Sequence, residues 1–177
     1  MEPADPWARR RRLFQATLHH AIARARAAHR ELALLFIDLD RIAQVNDMLG
    51  WQLGDRVLAE AAARIAGTLG PRTRPARVGA DEFAAIRHVE DFAAAARLAA
   101  SVIERCREPY RLDCVAIKVT ASVGIALYPS YAQTAEGLME RAERSLYRAK
   151  IAGRDCFYPG GATCYGGTGL PPRTARA

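Results

Sequence analysis

Two pairs of acids in this 177-residue chain stand where carboxylates can act together. Asp38 and Asp40 end the apolar run Leu32 to Ile37, and Asp81 and Glu82 follow Gly79 and Ala80 between Val78 and Phe83. Open sheets place their ligands beyond strand ends. Carboxylates from two elements meeting at one edge offer hard oxygens to a cation such as Mg²⁺, with phosphate oxygens completing the shell. Acids at a strand end are more often solvated turn residues, and the spacing alone leaves both readings open. Lys150 and Arg154, four apart, fall on one face of a helix, where cations near the C-terminal end complement the macrodipole.

The elements that must carry these groups follow from periodicity. Phe14, Leu18, Ile22 and Ala25 recur at helical spacing and predict a helix over 7–29. Leu32 to Ile37 is apolar on both faces, as a central buried strand requires. Ile42, Val45 and Leu49 mark a short helix stopped by Gly50, and Leu58, Ala62, Ile65 and Leu69 mark another stopped at Gly70-Pro71. Arg77-Val78, the acidic tip and Phe83 to Ile86 read as a hairpin. Phe92, Ala96, Ala99, Ile103 and Cys106 form a helical face. Val119, Ala121, Val123, Ile125 and Leu127 share one strand face, and Leu138, Ala142, Leu146 and Ala149 give the last helix, ending at Gly153. The order α-β-α-α-β-β-α-β-α predicts an α+β fold with helices on a mixed sheet. The expected organisation is an Arg-rich helical lead at 1–30, one domain at 31–158 and a disordered Gly/Pro tail at 159–177.

Charge narrows the function classes. The net charge is +7, but residues 1–30 carry +5, residues 159–177 carry +2, and 31–158 balance at zero. That suits a solubilising helix and tail, not a nucleic-acid-binding body. The N-terminus lacks an apolar leader core, and the longest uncharged stretch, Val119 to Ala135, is broken by Ser122, Pro129, Ser130 and Gln133, so neither secretion nor a membrane span is expected. Cys106, Cys114, Cys156 and Cys164 form no CxxC pair and share no ligand spacing with the histidines, which fits a reduced, cytoplasmic chain.

The motifs themselves resemble a known family. Phe36-Ile37-Asp38-Leu39-Asp40, Asn46-Asp47 and Gly50-Trp51-Gln52-Leu53-Gly54-Asp55 are similar to the FxDxDxFKxxND…GHxxGD segment of GGDEF (diguanylate cyclase) domains. Arg77 to Phe83 resembles the signature hairpin, Val123 to Pro129 the late strand, and Arg141 to Asp155 the last helix. The resemblance implies a mixed sheet flanked by helices, like nucleotidyl-cyclase and polymerase palms. It further implies two domains facing each other, each holding GTP and Mg²⁺ (two ions per active site), to make cyclic di-GMP. By position, Asp38, the Leu39 carbonyl and Asp81 would be metal ligands, with Asp81 and Glu82 the catalytic acids. Asn46 and Asp55 would read guanine, Lys150 and Arg154 would hold the terminal phosphates, and Gly79 and Ala80 would lie against the nucleotide. An EAL phosphodiesterase domain is an expected partner of some relatives.

The departures from the pattern bear on activity. Ala80 replaces the second glycine of the signature, at a hairpin tip where φ > 0 is expected and a Cβ costs about 1 kcal/mol. Ile42-Ala43 replace Phe-Lys, Trp51 replaces His, and the N-terminal DxLTGLxNR loop shrinks to Asp5-Pro6-Trp7-Ala8-Arg9. Gly70 and Thr73 occupy the positions of the inhibitory RxxD motif. The sequence therefore predicts a domain that binds Mg²⁺ and GTP with lost or weak cyclase activity, serving as a regulatory or interaction module. The alternative is an active diguanylate cyclase working as a homodimer.

Overall fold

The computed structural model of the protein describes residues 6–160 and 165–166. Its elements are α1 (Ala8–Ala27), β1 (Glu31–Leu39), α2 (Ile42–Leu49), α3 (Trp51–Leu69), β2 (Ala76–Arg77), β3 (Glu82–Val89), α4 (Phe92–Arg107), β4 (Tyr110–Leu112), β5 (Val115–Ile117), β6 (Ala121–Tyr128), α5 (Ala135–Ile151), β7 (Cys156–Pro159) and β8 (Tyr165–Gly166). The main sheet runs β2-β3-β1-β6-β7-β8, antiparallel throughout except for the parallel β6–β7 pair.

The strand period of two sorts β1 between two cores. Ala33, Leu35, Ile37 and Leu39 pack with α2, α3 and α4, while Leu32, Leu34 and Phe36 pack with α1 and α5. Each large side chain so buried contributes roughly 1.5–3 kcal/mol. This is why the run is apolar without alternation, and it makes the fold three layers with the sheet in the middle. The helical stripe of α1 (Phe14, Leu18, Ala21, Ile22, Ala25) belongs to the second core, so the Arg-rich lead is packed onto the sheet.

One close approach positions α5. A Cβ on Gly124 of β6 would lie 2.1 Å from the Ala142 carbonyl oxygen and 2.3 Å from the Leu146 nitrogen. Glycine thus lets the α5 backbone lie directly on β6, which delivers the last turn of α5 to the end of β1.

Several short elements escape the sequence reading. The β4–β5 hairpin has three-residue arms, too short for any alternation to register. β7 follows α5 and pairs in parallel with Val123 to Ile125, and Tyr165–Gly166 pairs back onto Cys156–Phe157. Pro159, Tyr165 and Gly166 are therefore strand residues, in contrast to the tail expected from Pro159 onward; 161–164 and 167–177 lie outside the described residues. α3 also begins at Trp51, a full two turns before its first buried leucine stripe residue Leu58.

Candidate functional site

The two acids of the first pair, Asp38 and Asp40, part company in three dimensions. Asp40 is buried, and its carboxylate accepts hydrogen bonds from Thr120 Oγ1 at 2.6 Å, Ser122 Oγ at 2.7 Å and the Asp155 backbone N–H at 3.1 Å. So satisfied, it ties the chain leaving α5 to β6 and is a structural anchor. Asp38 is equally buried, but its Oδ2 meets Lys150 Nζ from α5 at 2.7 Å.

Register brings the signature acids to the same place. Asp38 stands opposite Glu82 across the β1–β3 ladder, and the Leu39 N–H donates to the Asp81 carbonyl at 3.1 Å. Burial pushes the Asp38 carboxyl up to about 7; the negative charges of Asp81 and Glu82 add to the rise, and the hydrogen bond from Lys150 opposes it. A buried acid raised by two neighbouring carboxylates and met by one cation is a local excess of negative charge, which a cation would relieve. Among the described residues, no three Asp, Glu, His or Cys side chains form a complete metal-binding group. Mg²⁺ needs only one or two carboxylates when phosphate and water oxygens fill its octahedron, so Asp38, Asp81 and the Leu39 carbonyl are a donor set of the right kind.

The hairpin tip corrects one expectation. Neither Gly79 nor Ala80 has a positive φ, so the alanine carries no backbone strain. Gly79 is buried beneath the Glu82 side chain, and Ala80 is exposed. Arg77 clasps the tip, its Nε donating to the Gly79 carbonyl at 3.3 Å and its Nη2 to the Ala80 carbonyl. The Arg77 guanidinium also lies 4.9 Å from the centre of the Trp7 ring.

Asn46 and Asp55 come together at the α2–α3 junction. Asn46 Oδ1 is buried without a hydrogen-bond partner, and it lies 1.7 Å from where a Cβ on Gly54 would sit. Only glycine at 54 admits the amide there, and the orphaned acceptor is a polar group waiting for a donor. Asp55 is exposed one residue on, beside a cavity of about 370 Å³ lined by Ala59, Arg77 and Phe83. That is the low end of ordinary ligand-site volumes.

Lys150 reaches the acids, and Arg154 does not share its helical face. α5 ends at Ile151, and Gly153, Arg154 and Asp155 follow with φ of 118°, 67° and 52°. Arg154 is exposed, its N–H bonded to the Ala149 carbonyl, and among the described residues it forms no ion pair with Asp38, Asp81 or Glu82.

The sequence reading passed over Arg11 and Glu143. Arg11 Nη2 lies 2.5 Å from Glu143 Oε1 of α5 and 3.9 Å from Glu82 Oε2. Its position four residues after Trp7 and three before Phe14 placed it on the buried stripe, a signal hidden within the run of four arginines.

Comparison with known proteins agrees with this geometry. The family model described as diguanylate cyclase, GGDEF domain matches residues 9–156. The chain is 39% identical over 150 residues to the bifunctional diguanylate cyclase/cyclic di-GMP phosphodiesterase MucR of Pseudomonas aeruginosa, covering 84% of this chain and 22% of MucR. It is 38% identical over 146 residues to the diguanylate cyclase TpbB of the same species, covering 81% of this chain and 34% of TpbB. The crystal structure of the TpbB GGDEF domain superimposes with a TM-score of 0.83 at 36% identity, covering 86% of this chain and 96% of that domain. The chain thus spans about a fifth to a third of these curated relatives. With a family model matched over residues 9–156, relatives near 39% identity and a GGDEF domain of the same fold, the chain belongs to the GGDEF family of diguanylate cyclase domains.

Proposed function

We propose that this GGDEF domain binds GTP with Mg²⁺ but condenses it weakly or not at all, and works as a regulatory or interaction module of cyclic di-GMP signalling in the cytoplasm. Binding is supported by the retained groups. Asp38, Asp81 and the Leu39 carbonyl would hold Mg²⁺, which when bound neutralises phosphate charge. Lys150 and the exposed Arg154 would meet the terminal phosphates, and Asn46 and Asp55 the guanine edge. Glu82 would sit beside the attacking hydroxyl.

The observation that carries the impaired reading is the clasped tip. Arg77 holds the carbonyls of Gly79 and Ala80, so the Ala80 methyl cannot swing away from a nucleotide laid against this backbone. The obstruction is steric, since no strain is present. A second reading, an active cyclase joining two GTP as a homodimer, is favoured by the survival of every carboxylate and of Lys150. In either case the partners are GTP and a second copy or a linked domain such as an EAL phosphodiesterase.

Incubating the protein with GTP and Mg²⁺ and quantifying cyclic di-GMP separates the two. We expect little or none from the parent. Ala80→Gly should tighten GTP binding by about tenfold, the effect of relieving roughly 1.4 kcal/mol of overlap, with partial recovery of synthesis. A parent that synthesises cyclic di-GMP at a rate Ala80→Gly leaves unchanged establishes the active cyclase instead.

A further inference from the structure

A cavity of about 1630 Å³ lies away from the signature acids, between α1 and the outer edge of β3. Its floor is an unfinished sheet edge. β2 pairs only with Phe83 and Ala84, because Pro75 directly before it can neither donate to a ladder nor extend the strand. The Val78 N–H reaches the Glu82 carbonyl, so the even-numbered residues of β3 present their backbone groups to the side away from β1. Ile86 and His88 continue that series beyond the end of β2, and among the described residues no strand pairs with them there.

The walls are basic. Seven arginines line the cavity against three carboxylates, Glu31, Glu90 and Asp91, and Asp91 already caps α4 through the Ala94 N–H. Arg24 and Arg30 on one side and Arg72 and Arg74 on the other are exposed, and none forms an ion pair among the described residues. Leu13, 60% exposed, adds an apolar spot to the α1 wall.

We propose that this groove is a docking site for an extended acidic peptide segment of a partner protein, which adds as a strand to β3 at Ile86 and His88. The edge chemistry selects a peptide. Free carbonyls alternating with free N–H groups need a ligand with both donors and acceptors at strand spacing. A phosphodiester backbone has no N–H to give. Charge selects the side chains: alternate residues of an added strand point toward α1 and toward the 71–75 loop, and cations wait on both sides. The groove shares Arg77 with the signature hairpin, but the contacts proposed at Ile86, His88, Arg72 and Arg74 do not depend on whether the nucleotide site turns over.

The test uses the whole chain and a fluorescein-labelled peptide of alternating glutamate and valine. Anisotropy should show saturable binding that weakens with salt. Adding the peptide should slow hydrogen exchange at the Ile86 and His88 amides. The double variant Arg72→Glu/Arg74→Glu, both exposed and so expected to melt as the parent does, should lose about tenfold or more in affinity. A peptide of the same charge with proline at alternate positions should fail to bind, because it cannot complete the ladder. Equal binding of the proline peptide, unaltered affinity in the double variant, or exchange unchanged at both amides would each overturn the proposal. Protection of the same amides by an oligonucleotide instead of the peptide would assign the groove to nucleic acid.

Discussion

Asp38 and Asp40 are two residues apart on one strand, share its burial, and do opposite work. Asp40 spends both oxygens on Thr120, Ser122 and the Asp155 N–H, whereas Asp38 has one cation and two carboxylates for company. The pH behaviour of the free protein follows from this. With its carboxyl raised to about 7 from an ordinary value near 4, Asp38 holds a proton in the folded state that the unfolded chain releases. Its contribution to stability is therefore full below pH about 4 and is lost as pH rises to about 7. Urea titrations should show this decline flatten in Asp38→Asn. Ligand binding runs the other way, since Mg²⁺ needs the carboxylate. The rise in melting temperature given by Mg²⁺ with a non-hydrolysable GTP analogue should grow from pH about 6 to about 8 and vanish in Asp38→Ala. An Asp38→Ala protein with the parent's ligand response would remove Asp38 from the site.

Among the elements, α5 shows how a helix far along the chain is brought to a strand near its start. Gly124 permits the contact, and Lys150, one residue before the helix end, profits from it. Gly124→Ala would put a methyl group against the α5 backbone, which cannot rotate aside as a side chain can. We expect a loss of about 2–3 kcal/mol, at the upper end for overpacked cores, read as a fall in urea midpoint with unchanged slope. Whatever folds should also respond less to Mg²⁺ and GTP analogue, because Lys150 is carried away from Asp38. A variant as stable as the parent would mean that the two layers separate easily and that glycine there is incidental.

At the scale of the whole molecule, the ends of α3 and β3 meet at Gly70 and Thr73, the positions that by resemblance correspond to the inhibitory RxxD motif. Here Thr73 is buried and accepts from Arg87 Nη1 at 2.9 Å, while the same guanidinium nitrogen donates to the Leu69 carbonyl at 3.1 Å. Gly70, at φ +75°, simply ends α3. No arginine and carboxylate are left at these two positions to grip a guanine edge and a phosphate. Calorimetry with cyclic di-GMP should therefore show no saturable binding in the micromolar range at moderate salt. Micromolar binding abolished by Arg72→Ala would show that the site persists in a shifted register.

Much of this was legible in the chain itself. The apolar run ending at Asp38 announced a central strand, since only a strand covered on both faces tolerates such a run. The five helical stripes announced the flanking layers, and the acids of the hairpin announced the edge that Asp38 shares with Glu82. What spacing along the chain could not supply was the outcome of packing. Lys150 and Arg154 keep helical spacing, yet the helix ends between them, because termination depends on the left-handed turn at 153–155. The two aspartates differ only through partners some 80 to 115 residues away. The charge of residues 31–158 sums to zero in sequence, yet folding sets Arg72 and Arg74 of that segment beside the arginines of the N-terminal lead around one groove. Composition and periodicity are local or averaged quantities; coordination, hydrogen bonding and surface potential belong to neighbours in space, which only the tertiary structure chooses.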